Sequence, residues 1–279
     1  MQPLRIGLLG AARITPNALL KPAAQHPDVA VVAIAARDPQ LAQAFAATYG
    51  IPQVYPSYAA LLADPMIDAI YNPLPNSLHG EWTIRALRAG KHVLCEKPLA
   101  ANATEAAAMA AVAAETGLCL MEAFHTLYHP LAARLKTIVS SGELGTIRHV
   151  EAHFRTILRN RNDIRLDYAL GGGATMDLGC YTIRLLRFLL NAEPTVVHAT
   201  ATCHTPQIDR KMRVELRFPG QGVGQNAEIT GTMSYAFWSR QLIRITAKVI
   251  GDAGELTVLN PMLPHLFHLI QVKGDNGRR

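Results

Sequence analysis

The feature that most restricts the fold is the regular exchange of short apolar runs and helix-length segments over the first half of the chain. Leu4–Leu9 is apolar apart from Arg5, Val29–Ala35 is apolar throughout, and Asp68–Asn72, Val93–Cys95 and Leu118–Met121 repeat the pattern. Runs this short, without a clean polar face, suit strands covered on both sides. The segments between them carry helix signals: Thr15-Pro16 as N-cap and first helical residue, Asp38-Pro39 opening a helix to about Tyr49, Tyr55 and Ser57 before a shorter one, Ser77–Ala89 closed by Gly90, and a helix from Thr104 to Glu115. Strands and helices alternating at this spacing predict a doubly wound parallel sheet.

After about Phe124 the pattern changes. Pro130–Ser141 reads as a helix and Thr146–Ile157 alternates as a half-exposed strand. A basic segment, Arg159–Arg165, reads as a solvated loop, with a substrate loop as the alternative. Gly171-Gly172-Gly173 then precede a helix to about Leu190, and Thr195–Val258 is strand after strand with turns such as Pro219-Gly220 and Asp252-Ala253-Gly254. The expected fold is therefore α/β: an N-terminal Rossmann sheet over residues 1–124, and an α+β domain over 125–279 with a mainly antiparallel, open-faced sheet. The tail Lys273–Arg279 has no core to join and is expected to fray.

Composition removes several classes. The 279 residues are 49% hydrophobic and 17% charged, which excludes a disordered chain. No apolar run is long enough to span a bilayer, and Met1–Arg5 enters a strand directly, without a signal-peptide profile. Cys95, Cys119, Cys180 and Cys203 have no paired spacing, so neither a metal site nor a disulfide framework is expected, and a cytoplasmic location is. The net charge of +6 and pI near 9.3 favour a polyanionic ligand mildly. The basic residues are dispersed, without a nucleic-acid-binding motif.

In an open parallel sheet, ligands bind beyond the carboxyl ends of the strands, and the polar residues there are the candidates for chemistry. Gly10-Ala11-Ala12-Arg13-Ile14 follows the first strand where a dinucleotide pyrophosphate would meet a helix. Its glycine fingerprint is incomplete, since Ala12 and Thr15 replace the second and third glycines. At the end of the second strand, Ala36 stands where an NAD enzyme places a carboxylate, and Arg37 can fork a 2′-phosphate. NADP(H) is therefore expected, with NAD second; a solvated surface arginine is the alternative. Asn72, Pro73, Leu74, Asn76 and His79 lie at the next strand end and are candidates for cofactor contact, although a histidine there is more often structural. Glu96-Lys97-Pro98 ends the fourth apolar run, where a cis Lys97–Pro98 bond is among the few that cost little. Glu122 and His125 follow the last strand and are candidates for the nicotinamide side and the substrate.

Taken together, Asn72–His79, Glu96-Lys97-Pro98 and Gly171-Gly172-Gly173-Ala174-Thr175-Met176-Asp177-Leu178-Gly179-Cys180-Tyr181 resemble the Gfo/Idh/MocA oxidoreductases. The resemblance runs from about Leu4 to His268 and is strongest to the branch of glucose–fructose oxidoreductase, NADP-dependent xylose dehydrogenases and dimeric dihydrodiol dehydrogenases. It implies hydride exchange between a nicotinamide and a sugar, polyol or vicinal diol, with Lys97 beside the nicotinamide, Tyr181 as proton carrier, and Asp177 binding substrate or orienting the pair. Asp177 and Tyr181, four apart, would share a helix face. The phenol, with an ordinary pKa of about 10, would need a nearby cation to act as base. Relatives usually pair through the open face of the second sheet, so a homodimer or tetramer is expected; the alternating stretch Ile229–Met233 leaves one partly apolar face without an obvious cover. Relatives also usually continue into a C-terminal segment ending in a helix, which a sequence ending at Arg279 is expected to lack. A non-catalytic NAD(P)-binding sensor on the same fold is the competing reading. Such relatives typically lose the lysine or the acid–base residue, and here Lys97, Asp177 and Tyr181 are all present.

Overall fold

The computed structural model describes residues 2–220, 228–239, 243–274 and 277–278, the last pair by backbone alone. The chain divides into two compact units, Met1–Ala123 and Phe124–Arg279.

The first unit holds β1 (Leu4–Leu9), α1 (Lys21–Ala24), β2 (Val29–Ala35), α2 (Pro39–Tyr49), β3 (Gln53–Tyr55), α3 (Tyr58–Leu62), β4 (Ala69–Asn72), α4 (Asn76–Arg88), β5 (His92–Cys95), α5 (Ala103–Thr116) and β6 (Leu120–Glu122). All six strands are parallel, in the order β3-β2-β1-β4-β5-β6. Sequential strands run outward from β1 in one direction and from β4 in the other, so the strand order reverses between them, the switch point where such sheets bind ligands. Side chains alternate between two cores. Ile6, Leu8, Ile34 and Tyr71 pack on one face, and Leu9, Ala33, Ile70 and Val93 on the other. Burial on both faces is why these strands lack polar alternation. Asp38, Ser57 and Asn102 cap α2, α3 and α5 by accepting from main-chain N–H groups.

Thr15 does not cap. Its backbone is already helical (φ −51°, ψ −43°), a π-helical turn spans Pro16–Leu20, and the fully buried hydroxyl bonds to nothing among the described residues. The Thr-Pro signal marked the helix start but not its geometry.

The second unit holds α6 (Pro130–Ser140), β7 (Ile147–Arg155), a π-helical turn Thr175–Gly179 running into α7 (Cys180–Leu190), β8 (Thr195–Thr205), β9 (Ile208–Phe218), β10 (Ile229–Ala236), β11 (Arg244–Gly251), β12 (Gly254–Leu259), β13 (Leu269–Gly274) and β14 (Gly277–Arg278). Its sheet order is β14-β13-β12-β11-β7-β10-β9-β8, antiparallel except for the β7–β10 pair. Two expectations are corrected. Ile229 and Met233, the apolar side of β10, are buried in the unit's core together with Leu186 and Leu189 of α7, so this face is covered. The opposite face is polar: His149, Glu151, His153 and Arg155 of β7 alternate with Val150, Ala152 and Phe154 inside. Lys273 and Gly274, expected to fray, pair in β13 with Glu255 and Gly254, because backbone hydrogen bonds at a sheet edge need no apolar side chain.

Candidate active site

The chain turns sharply at the carboxyl end of β1. Gly10 takes φ +87°, a region that favours glycine, while its N–H donates to Ala35 O at 2.7 Å. The amides of Ala11, Ala12, Arg13 and Ile14 then donate no hydrogen bond among the described residues. Four open N–H groups before a helical turn, with the orphaned Thr15 hydroxyl beside them, suit an anionic oxygen cluster such as a pyrophosphate. At the end of β2, Arg37 is exposed and in no ion pair among the described residues. The neighbouring carboxylate is committed elsewhere, since Asp38 Oδ1 accepts from Gln40 N at 2.9 Å. A phosphate on the adenosine ribose would thus meet a cation there, beside a carboxylate that has one oxygen engaged at the start of α2. Tyr58, unremarked in the sequence, braces this edge. Its ring packs edge-on to Trp82 at 4.8 Å; burial raises its pKa, against hydrogen bonding from the Arg37 backbone.

Lys97 sits on a loop fixed residue by residue. Glu96 N donates to Asn72 O at 3.0 Å. Tyr71 Oη donates to Glu96 Oε1 at 2.7 Å, and Lys97 N to Glu96 Oε2 at 3.2 Å. His79 Nδ1 lies 2.8 Å from Pro98 O, across the cis Lys97–Pro98 bond, and Leu99 N donates to Glu122 Oε1 at 2.8 Å. Burial, then the Glu96 carboxylate, drives the Tyr71 phenol far above its ordinary pKa, so it stays a donor. Glu96 and Glu122 therefore serve as acceptors that shape the Lys97 loop.

Asn72 and His79, candidates for cofactor contact, turn inward, which for His79 is the structural role. Asn72 is fully buried; its amide donates to Thr83 Oγ1 and His79 O, and its carbonyl accepts from Leu74 N. His79 is 1% exposed, with Nε2 at 2.7 Å from Leu74 O and Nδ1 on Pro98 O. Burial lowers its pKa and the two carbonyls oppose that; a neutral ring donates to only one of them. Leu74 likewise has both polar backbone atoms engaged and its side chain in the core, where its Cδ2 would stand 3.2 Å from a Cβ on Gly10. Pro73 is buried beside it, and Asn76 opens α4 half-buried.

In the second unit, Asp177 lies in the π-helical turn and Tyr181 in the first turn of α7. The shared-face argument assumed an α-helix; here the i→i+5 winding between Thr175 and Gly179 widens the turn that carries Asp177. Arg165 Nε meets Asp177 Oδ2 at 2.9 Å. The start of the turn is held from β9: Asp209 accepts from Thr175 N at 3.0 Å and from Thr175 Oγ1 at 2.9 Å. A Cβ on Gly173 would stand 2.6 Å from Asp209 Oδ1. Tyr181 is 8% exposed, its ring edge-on to Phe124, His125 and Phe154 at 5.2, 5.8 and 5.5 Å. His125 is itself exposed, with Nε2 at 3.3 Å from Met262 O.

Residues 4–124 match the model of an oxidoreductase family with an NAD-binding Rossmann fold, and residues 132–257 match the C-terminal domain model of the same family. The chain belongs to the GFO/IDH/MocA oxidoreductases. Within that family it is 44% identical over 200 residues, 71% of the chain and 61% of the relative, to an NADP(+)-dependent D-xylose 1-dehydrogenase of Haloferax volcanii. It is 36% identical over 280 residues, 99% of the chain and 79% of the relative, to a dTDP-3,4-didehydro-2,6-dideoxy-alpha-D-glucose 3-reductase of Streptomyces violaceoruber. The 3-ketoreductase KijD10 of Actinomadura kijaniata, solved with NADP and TDP-benzene, superimposes with a TM-score of 0.89 at 31% identity, covering 100% of this chain and 83% of that one. As a GFO/IDH/MocA member the chain has no helix among the described residues long and apolar enough to cross a membrane.

Sequence reasoning missed Tyr58, Tyr71, Arg165 and Asp209 as shaping residues. Arg165 alone had a signal, in its basic segment; the others are single polar residues whose partners are distant in sequence.

Proposed function

We propose that the chain is an NADP(H)-dependent oxidoreductase acting at a carbinol or carbonyl carbon of a sugar, polyol or vicinal diol. The observation that carries this reading lies on one sheet edge: four open amides and an unpaired Arg37 at the ends of β1 and β2, with Lys97 on a fixed loop after β5. When bound there, the nicotinamide supplies or takes up the hydride. The amides of Ala11–Ile14 bind the pyrophosphate and Arg37 binds the 2′-phosphate. Lys97 polarises the substrate oxygen. Tyr181 gives or takes the hydroxyl proton, and Asp177 accepts from a substrate hydroxyl. Glu122 is assigned to holding the Lys97 loop through Leu99 N, and His125 to a substrate contact. Exposed Cys119 and Cys203, both free thiols, suit the reducing cytoplasm. The polar face of the eight-stranded sheet is assigned to pairing of two copies; a monomer mass by light scattering at micromolar concentration would remove that assignment.

The test is a titration of NADPH and NADH by cofactor fluorescence, followed by absorbance assays with NADP⁺ and aldoses or vicinal diols, and with NADPH and a dTDP-keto sugar. NADPH is expected to bind more tightly than NADH, and Arg37→Ala to weaken NADPH while leaving NADH nearly unchanged. Equal losses would show that Arg37 does not read the 2′-phosphate. Binding without turnover across the panel would favour a sensor.

A further inference from the structure

Arg165 has no part in the chemistry above, yet the fold delivers it to Asp177 by both side chain and main chain. Its Nε is 2.9 Å from Asp177 Oδ2 and its Nη1 3.0 Å from Asp163 Oδ1, the same oxygen that accepts from Arg165 N at 3.1 Å. Gly173 N donates to Arg165 O at 2.8 Å, and Gly172 N to Asp167 O at 2.9 Å. A Cβ on Gly172 would stand 2.6 Å from Arg165 O and 2.8 Å from Asp167 O. Only glycine lets the loop come this close, so part of the glycine run works as a packing device for the arginine loop. Long side chains usually lose entropy when they form surface ion pairs. Here one ordered guanidinium meets two carboxylates, Asp163 and Asp177, so a single ordering cost serves both contacts.

We propose that Arg165 is a positioning residue for the reaction: its guanidinium holds the Asp177 carboxylate ionised and in one orientation, so that Asp177 accepts a hydrogen bond from a substrate hydroxyl and does not donate a proton. This rests on the role given to Asp177 above. The pair sits at a boundary, with side-chain exposures of 44% and 21%, partly screened but not freely hydrated. Burial works against the charge on Arg165, yet Asp177 and Asp163 together raise its pKa above the ordinary value. Ionisable groups at this turn among the described residues include Asp163 and Asp167 in the arginine loop, Asp209 and Tyr235 at Thr175, Tyr181, and Cys180, whose thiol faces the Asp177 carbonyl at 3.5 Å.

The test reads Asp177 directly, by ¹³C NMR titration of its carboxyl carbon, assigned with Asp177→Asn, in the full chain. Arg165→Met is expected to move the Asp177 midpoint up by about one pH unit, the low end for loss of an adjacent opposite charge. Arg165→Lys should restore part of the shift, and Gly172→Ala, which displaces the loop but keeps the guanidinium, should reproduce part of it. If Arg165→Met disturbs folding, the lysine and Gly172→Ala variants still give the answer. On a substrate that the wild type turns over, the acid limb of kcat/KM should move in the same direction as the carboxyl titration. An Asp177 midpoint unchanged in all three variants overturns the inference, whatever the turnover. Absence of turnover in the wild type would instead overturn the oxidoreductase reading and leave the carboxyl titration to be read by itself.

Discussion

The Lys97 loop of the first unit and the Asp177–Tyr181 turn of the second are both held rigidly, but by different means. Around Lys97 the fixing partners sit on neighbouring strand ends and on the start of α4: Tyr71 and Asn72 on β4, Glu122 on β6, His79 on α4. All are hydrogen bonds to a short stretch of main chain or to one carboxylate. Around Asp177 the partners come from farther along the chain, Arg165 from the preceding loop and Asp209 from β9, and the central contact is an ion pair. Both scaffolds use carboxylates; around Lys97 these accept from neutral donors, Tyr71 Oη and main-chain N–H groups, whereas Asp177 meets a charged guanidinium, and a charge pair is the more open to screening by salt. The lysine loop is thus expected to respond less to salt than the Asp177 carboxylate. Among the described residues each unit also has one π-helical turn, Pro16–Leu20 after the nucleotide turn and Thr175–Gly179 carrying Asp177. Such turns recur at functional sites.

The largest expected effect breaks the chemistry on either side of the comparison. Tyr181→Phe keeps the ring that Phe124 and Phe154 pack against and removes only the phenol oxygen. Turnover on a confirmed substrate should fall by roughly 100- to 10,000-fold, the usual range for a general acid–base group, with NADPH affinity little changed. Lys97→Met should cause a loss of the same order, and the double variant should lose much less than the product of the two, because groups acting as a unit are not additive. Steady-state rates with matched fluorescence titrations decide this. Near-full turnover in Tyr181→Phe would transfer the proton to another group and remove the reason for placing Asp177 beside it.

A second comparison is of stability. His79→Ala deletes a fully buried ring and removes the one hydrogen bond that the neutral imidazole donates, to the Pro98 or the Leu74 carbonyl, a loss of about 2–4 kcal/mol from cavity and desolvation together. Asp209→Ala removes the acceptor at the start of the π-helical turn, and the closest analogue, loss of a helix cap, costs about 1–2 kcal/mol. Urea unfolding followed by circular dichroism should rank them in that order. The reverse order would mean that the second unit's turn depends on Asp209 more than local capping can explain.

What the sequence disclosed follows the same division. The parallel sheet, the nucleotide turn and the Glu96-Lys97-Pro98 loop were legible because their signals are local: apolar runs, a glycine at a strand end, a proline after a lysine. The inward turn of Asn72 and His79 was not legible because a polar residue at a carboxyl edge can point outward or inward. Their inward hydrogen bonds, to Thr83 and to Pro98, join residues 11 and 19 apart in sequence. Arg165 and Asp209 were missed as shaping residues because their partners are fixed only once the second sheet has formed. The open face was misjudged on β10 for a related reason: alternation identifies two faces but not which one α7 covers.

The smallest expected effect tests whether charge matters to the first unit away from the candidate site. Arg5 and Asp68, at the opposite ends of β1 and β4 from the nucleotide turn, form a close pair: Arg5 Nε donates to Asp68 Oδ2 at 2.8 Å, Nη2 to Oδ1 at 2.7 Å, and the Arg5 amide also donates to Oδ2. Hydrogen bonding from Arg5 lowers the Asp68 pKa to about 2. An unfolded aspartate titrates near 3.9. The native value is depressed, so the pair's contribution is fully present above about pH 4 and disappears as pH falls towards about 2. Both side chains are partly exposed, at 25% and 33%, and solvent screening keeps the contribution small. Asp68→Asn should therefore lower the urea midpoint slightly at neutral pH, by less than either variant above. Its loss of stability on acidification should be shallower than that of the wild type over about pH 4 to 2, so that the two curves converge at the acid end. Parallel curves across that window would show that Arg5 does not hold Asp68 ionised in the native state. The contrast between carboxylates bound by neutral donors in the first unit and one bound by a cation in the second would then extend along the whole sheet and not just its carboxyl edge.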